Sequence, residues 1–388
     1  MPACNSLPVR GGCGVTPGGN GRKPAEDPSA ELTMLDLFAG AGGLSLGFGM
    51  AGFRSVFAVE SDASAAATYA ANFGGHVYSG LIEEVESFGA AEIVVGGPPC
   101  QGFSPLGRDR DDHSRHALNT LWRQYLRAVR QVRPKVFVVE NVPEFLKSVQ
   151  FQTFLETVAT DPLLSDYVVE YRVLKAAEYG VPQTRRRGFV IGSRIGPPIW
   201  PTPTHGPAAY PPRPFRSVRD AIGDLPLEPT DEDLQWRRNP TEISLERYKS
   251  VPEGGNRFDL ARNRPDLLPD CWRNKKSGTT DVFGRLRWDA PALTIRTEFF
   301  KPEKGCYLHP AANRPITHRD AARLQTFPDD FQFIGTKVQI ARQIGNAVPP
   351  VLARAVAAAV LIRLLDPIGP GDTIVRSRGV RDTTPVSR

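Results

Sequence analysis

Cysteine is scarce in this 388-residue chain: five residues, at positions 4, 13, 100, 271 and 306, with no C-x-x-C pair among them. That argues against a disulfide framework and a structural zinc site, and it points to a reducing, cytoplasmic compartment. No apolar run reaches the roughly 18 residues of a membrane span, so no membrane partner is expected. The most apolar late stretch, "VLARAVAAAVLIRLL", carries Arg354 and Arg363 and reads as a packed helix. The first 30 residues are rich in glycine and proline and lack an apolar h-region. They read as a disordered leader, neither a signal peptide nor a folded unit.

Lysine is scarce as well. It supplies 10 of the 48 basic residues, which leaves 38 arginines in a chain of formal charge +6. Arginine's planar fork suits phosphates and guanine edges, although a GC-rich coding bias would give the same total. The location of the charge says more. Residues 181–290 hold 19 Lys and Arg against 14 Asp and Glu, a net of +5, so nearly all the excess lies there. A basic segment of this kind suggests a polyanionic partner.

From residue 33 onward, short β-branched runs alternate with helical patterns. "TMLDLF" (33–38), "SVFAVE" (55–60), "EIVVGG" (92–97), "KVFVVE" (135–140) and "GFVIGS" (188–193) read as buried strands of a mostly parallel sheet. "DASAAATYAANF" (62–73) and "RHALNTLWRQYLRAVRQV" (115–132) read as the helices between them. The alternation predicts a doubly wound α/β fold. It breaks at residues 196–230, which hold ten of the 36 prolines and show no periodicity. A smaller, loop-rich region is expected from 196 to 283. Helical patterns return with "PITHRDAARLQTFPDDF" and "QIGNAVPPVLARAVAAAVLIRLL", the latter with Pro350 placed to start a helix.

Two loops carry chemistry. In "LDLFAGAGGLSLGF" (35–48), Gly40, Gly42 and Gly43 let the backbone approach a ligand at a helix N-terminus. Glu60 ends the next strand, where doubly wound nucleotide sites place a carboxylate for ribose hydroxyls. The spacing is G-x-G-G rather than G-x-G-x-x-G, which fits an adenosine-containing ligand without phosphates better than a dinucleotide. The second loop, "GGPPCQGFS" (96–104), sets Cys100 after two prolines at the end of a strand. The prolines stiffen the loop and discourage an early helix. In "VVENV" (138–142), Glu140 ends another strand of the same sheet, placed to share a pocket with Cys100. A thiol is only a few per cent thiolate at neutral pH, so it needs activation or an electrophile polarised by a neighbouring carboxyl.

With those motifs in hand, the chain resembles the DNA (cytosine-5)-methyltransferases of prokaryotic type. "LDLFAGAGGLSLGF", "FAVESD", "GGPPCQGFS", "VVENVPEFL", "EYGVPQTRRRGFVIG", "GRLRWDAPALTI" with "ITHRDAARLQTFPDDF", and "QIGNAVPP" follow the family's order over about residues 33–195 and 284–364. The resemblance implies the S-adenosylmethionine-dependent methyltransferase fold. It divides the chain into a leader (1–30), a catalytic and cofactor-binding domain (31–195), a target-recognition domain (196–283), a return to the catalytic domain (284–366) and a disordered tail (367–388).

It also implies roles. Cys100 adds to C6 of a flipped-out cytosine, Glu140 holds N3 and the exocyclic amine, and Arg185 and Arg187 complete the catalytic set near the flipped nucleotide. S-adenosylmethionine is expected against Phe38, Ala39, Gly40, Gly42, Gly43, Leu44, Glu60, Ser61, Pro98, Leu118, Asn346 and Val348. The implied partner is double-stranded DNA, the enzyme acts as a monomer, and a cognate restriction endonuclease is its functional companion. One position departs from the pattern: where the family shows an aspartate after the third strand, this chain has Leu81 in "YSGLIEEV".

Three rivals explain less. A related RNA cytosine-5-methyltransferase has no need of the roughly 90 residues between "GFVIG" and "GRLRW". A nicotinamide-dependent dehydrogenase accounts for the glycine turn and Glu60 but not for the P-P-C and E-N-V elements. A non-catalytic DNA-binding module does not account for the presence of both Cys100 and Glu140.

Overall fold

The structure is a computed structural model that describes residues 32–99, 121–236, 238–273 and 281–368. The leader, Cys100, Leu118 and most of the tail lie outside the described residues.

Seven strands form one sheet in the order β3-β2-β1-β4-β5-β7-β6. They are β1 (Thr33–Leu37), β2 (Arg54–Glu60), β3 (Val77–Ser79), β4 (Ile93–Gly96), β5 (Val136–Asn141), β6 (Val168–Lys175) and β7 (Arg186–Ser193). β3, β2, β1, β4 and β5 run parallel, whereas β7 is antiparallel to β5 and to β6. The doubly wound, mostly parallel sheet expected from the sequence is therefore present. Its strand order reverses between β1 and β4, and ligands of open α/β sheets bind beyond the strand ends at such a reversal.

The central strands are apolar because both faces are covered. β4 and β5 are buried at every residue. One face carries α3 (Trp122–Val132), in which Trp122, Tyr125, Leu126 and Val129 share an inward stripe. The Tyr125 hydroxyl lies 2.9 Å from the carbonyls of both Val94 and Val138, which bolts the helix to two strands. α4 (Val149–Thr160) adds Phe151 and Phe154 to the same core. Earlier in the chain, α1 (Gly43–Gly49) follows β1, and α2 (Ala63–Phe73) starts at Asp62, whose carboxylate accepts the N–H groups of Ser64 and Ala65.

The other face is covered by the end of the chain. α10 (Lys337–Asn346) and α11 (Pro350–Leu365) are together apolar enough to pass for a membrane span, but the helix breaks over residues 347–349. Pro350 opens α11, as the sequence suggests. Leu352, Ala353, Val356 and Val360 then pack on Met34, Ile93, Val95 and Val138. α11 also lies hard against α1. A β-carbon at Gly47 would fall 2.4 Å from Ala353 Cβ and 2.5 Å from the Pro350 carbonyl.

Between the sheet and this return lie short elements. They are α5 (Val218–Ile222), α6 (Glu242–Lys249), α7 (Arg257–Asn263), α8 (Asp270–Arg273), the parallel pair β8 (Gly284–Arg285) and β9 (Cys306–Leu308), and α9 (His318–Leu324). A separate core joins Val218, Ile222 and Leu234 to Leu286, Ile295, Phe299, Tyr307, Leu324 and Ile344. Residues on both sides of position 284 thus share one core, and contact with the main sheet resumes at Val348 and α11.

Candidate active site

The first glycine-rich turn is held in conformations that only a few residue types tolerate. Phe38 has φ 58°, Gly40 φ 57° and Gly42 φ 90°. For a phenylalanine the left-handed region costs roughly 1–2 kcal/mol, so the surrounding structure fixes this strain. At Gly42 a side chain is excluded twice over, by φ and by the Phe73 ring, 2.2 Å from the would-be Cβ. At Gly43 the Val348 carbonyl stands 2.4 Å from the would-be Cβ. Next to Gly40 there is open space.

Glu60, at the end of β2, faces this turn. One carboxylate oxygen accepts the Gly40 N–H at 2.8 Å and the other accepts the Asp62 N–H at 2.7 Å. Burial raises its pKa, and the N–H groups of Asp62 and Gly40 partly offset this. Ala39 and Leu44 are buried behind the turn, and Ser61 is exposed. Val348 is buried against Gly43, while the Asn346 side chain is exposed. The turn, Glu60 and the 346–348 segment are thus brought together from three distant parts of the chain.

A second cluster forms where β4 and β5 end side by side. Glu140 is buried, and Arg187 Nε reaches its Oε1 at 2.8 Å. A β-carbon at Gly97 would stand 3.1 Å from Glu140 Oε2, so this carboxyl abuts the chain three residues before Cys100. The next residue, Asn141, donates its side-chain amide to the Pro98 carbonyl at 3.0 Å and is itself buried. Pro98 is thereby tied to β5. Burial raises the Glu140 pKa, and the nearby Arg187 and Arg185 charges oppose this without cancelling it. A carboxyl in that state keeps its proton to higher pH and can donate it in a hydrogen bond.

Arg185 is placed differently from Arg187. It is 1 % exposed, and its guanidinium donates to the carbonyls of Ile295 (3.0 Å), Gly345 (3.0 Å) and Asn346 (3.4 Å). These bonds tie the lead into β7 to the backbone at 295 and 345–346. Two glutamines the sequence did not single out work beside it. Buried Gln183 accepts the Ile295 N–H at 2.9 Å and donates to Gln325 Oε1 at 2.9 Å, and Gln325 in turn donates to the Ile344 carbonyl at 2.6 Å. This polar network joins the lead into β7 to the segments around 295, 325 and 345. Within the "TRRRG" run Arg185 is buried, Arg186 exposed and Arg187 half-buried.

Beneath the first turn lies a further polar chain. Buried Asp36 accepts from Ser45 Oγ at 2.7 Å, Ser45 meets the Tyr69 hydroxyl at 2.7 Å, and Tyr69 donates to Ser55 at 2.7 Å. The other Asp36 oxygen has no partner among the described residues. Burial pushes this carboxyl up to about 7, with the Ser45 hydrogen bond pulling the other way.

The chain is similar to known proteins along most of its length. The model of the family described as C-5 cytosine-specific DNA methylase matches residues 32–361. Type II methyltransferase M1.HphI of Haemophilus parahaemolyticus is 36% identical over 345 residues, covering 85% of this chain and 87% of that protein. M.XorII of Xanthomonas oryzae pv. oryzae is 36% identical over 372 residues, covering 84% of each. Among solved structures, a DNA modification methyltransferase encoded within an E. coli prophage superposes with a TM-score of 0.63 at 27% identity, covering 86% of this chain and all of that one. Together with the seven-stranded sheet, these matches establish that the chain belongs to the C-5 cytosine-specific DNA methylase family and is a DNA cytosine-5-methyltransferase.

Proposed function

We propose that this enzyme methylates C5 of one specific cytosine in duplex DNA, using S-adenosylmethionine and a covalent link between Cys100 and C6 of a flipped-out base. The observation that carries this reading is the buried Glu140 carboxyl. It is raised in pKa, paired with Arg187, and set against Gly97 just ahead of Cys100.

C5 of cytosine is too poor a nucleophile to be methylated unaided. A protonated Glu140 donates to N3, and its second oxygen accepts from the exocyclic amine. That drains the ring of electrons, so the Cys100 thiolate adds at C6 and an enamine forms whose C5 is nucleophilic. C5 would take the methyl group with S-adenosylhomocysteine leaving, and loss of the C5 proton to a base with expulsion of the thiolate would then restore the aromatic ring. Arg187 orients the Glu140 carboxyl through Oε1, and Asn141 fixes the Pro98 carbonyl of the cysteine loop. The base must leave the stack, because neither ring face is reachable inside a duplex.

The donor fits the first turn. Glu60 keeps lone pairs free beyond the two backbone N–H groups it accepts, enough for ribose hydroxyls. Gly40 leaves open space, and Phe38, Gly42, Gly43 and Val348 define its walls. S-adenosylmethionine, when bound, supplies an electrophilic methyl group. Residues 196–283, between the two stretches that carry the family's motifs, are assigned to reading the DNA sequence. The type II relatives support a role beside a restriction endonuclease.

The test is base-resolution sequencing of 5-methylcytosine in DNA from cells expressing the chain. One sequence motif should be methylated in the parent and unmethylated with Cys100→Ala or Glu140→Ala. Equal methylation in all three overturns the reading.

A further inference from the structure

A cavity of about 680 Å³ opens between the segment around Trp236, the turn before α9 and the start of α10. None of its lining residues belongs to the Glu60 or Glu140 clusters. Its volume lies within the range of small-ligand sites.

Its walls combine flat rings with positive charge. Trp236 and Phe300 are half-buried. His318 packs edge-on against Trp236, with ring centroids 4.8 Å apart, and lies nearly parallel to Phe300 at 6.1 Å. Its Nε2 is 2.8 Å from the Lys337 carbonyl, and burial holds its pKa down at about 4, so a neutral imidazole donates there and the wall is fixed at neutral pH. The Lys337 ammonium sits 5.2 Å above the Trp236 ring, and the Lys301 ammonium sits 5.5 Å from the Phe300 ring. Arg238 donates to the Phe300 carbonyl at 2.6 Å.

Arg238, Lys301, Arg314 and Lys337 line the cavity, against the single acid Glu228. Lys301 and Arg314 have carboxylate partners in Glu298 and Asp320. Among the described residues, Lys337 and Arg238 form no ion pair with a carboxylate. Lys337 also opens the ten-residue helix α10, whose N-terminal dipole favours an anion. Asn239 and Asn313 add amides that can address the edge of a base.

We propose that this cavity is a nucleotide-binding site separate from the methyl-transfer centre, taking a planar base against Trp236 and Phe300 and its phosphate against Lys337 and Arg238. The same chemistry is offered by a free mononucleotide and by an unpaired nucleotide of a DNA strand. Stacking on an aromatic ring is worth about 1–3 kcal/mol per base, so a single ring carries a measurable share of the affinity.

The test is calorimetric titration of the full-length chain with each deoxynucleoside monophosphate, with S-adenosylhomocysteine saturating so that the donor site is filled. Saturable binding tighter than about 1 mM is expected for at least one of them. Trp236→Ala should weaken it about tenfold or more, and Lys337→Gln should weaken it several-fold, with melting temperatures showing that both variants are folded. No saturation, loss of binding on adding S-adenosylhomocysteine, or unchanged affinity in both variants overturns the proposal. A short single-stranded oligonucleotide separates the sources. Tighter binding that still depends on Trp236 assigns the site to DNA, and binding of the mononucleotide alone assigns it to a free nucleotide; both outcomes support the site. The readout involves no turnover, so it stands or falls apart from the methylation reading.

Discussion

Arg187 Nε stands 2.8 Å from Glu140 Oε1, with both side chains largely withdrawn from solvent. The pair holds a tension: burial raises the carboxyl pKa, and the guanidinium pulls it back. Replacing Arg187 by Ala removes the pull, so Glu140 keeps its proton to higher pH. The alkaline limb of kcat/KM, which reports the free enzyme, should then move upward in pH while the plateau falls. Glu140→Gln should lower kcat by about 10²–10⁴-fold. A limb that stays put or moves down in Arg187→Ala contradicts the role given to the Glu140 proton.

Asp36 links the glycine-rich turn after β1 to pH. Its folded-state pKa of about 7 lies above its ordinary value of 3.8. The folded chain therefore holds this proton where the unfolded chain has lost it. The resulting stability is complete below about pH 4 and is lost as pH rises through 7, on the order of 4 kcal/mol in all. Urea unfolding from pH 4.5 to 7.5 should show the parent losing stability relative to Asp36→Asn. Parallel curves would contradict this.

The contact between α1 and α11 predicts opposite outcomes for two glycines about 3 Å apart in axial rise along one short helix. Gly47→Ala drives a methyl group into Ala353 and the Pro350 carbonyl and should cost about 1–3 kcal/mol or more. Gly49→Ala meets nothing within 4 Å and should be neutral or stabilising by up to about 1 kcal/mol. Melting temperatures of the two variants check the contrast. A tolerated Gly47→Ala would mean the helices are not this close.

Much of this was readable in advance, for physical reasons. Strands covered on both faces appear as unbroken apolar runs, and β1, β2, β4, β5 and β7 were legible for that reason. β6 was not, because it is an antiparallel edge strand in which Glu170, Arg172 and Lys175 interrupt the run. The glycine turn, Glu60 and Glu140 were legible because strand-end motifs sit where open sheets bind ligands. The burial of Arg185, the Gln183–Gln325 link and the core shared across position 284 were not. Each depends on segments more than 100 residues apart or on contacts between irregular loops, which no local pattern records.

Leu81 marks the other departure. It is 54% exposed after β3, and its N–H is taken by Glu84 at 3.1 Å. An aspartate there would offer the donor's adenine one more acceptor, worth about 1 kcal/mol. Leu81→Asp should bind S-adenosylmethionine at least as tightly as the parent, up to about fivefold tighter. Calorimetry showing clearly weaker binding would contradict that placement of the adenine.

The covalent step has the most direct test. Duplex DNA in which cytosine is replaced by 5-fluorocytosine blocks the last elimination, because fluorine cannot leave as a proton. With S-adenosylmethionine present, the parent chain should become attached to this DNA and survive denaturing electrophoresis, while Cys100→Ala should not. Ordinary DNA methylated at full rate with no trapped adduct on the fluorinated duplex, or an adduct that persists in Cys100→Ala, would contradict the mechanism.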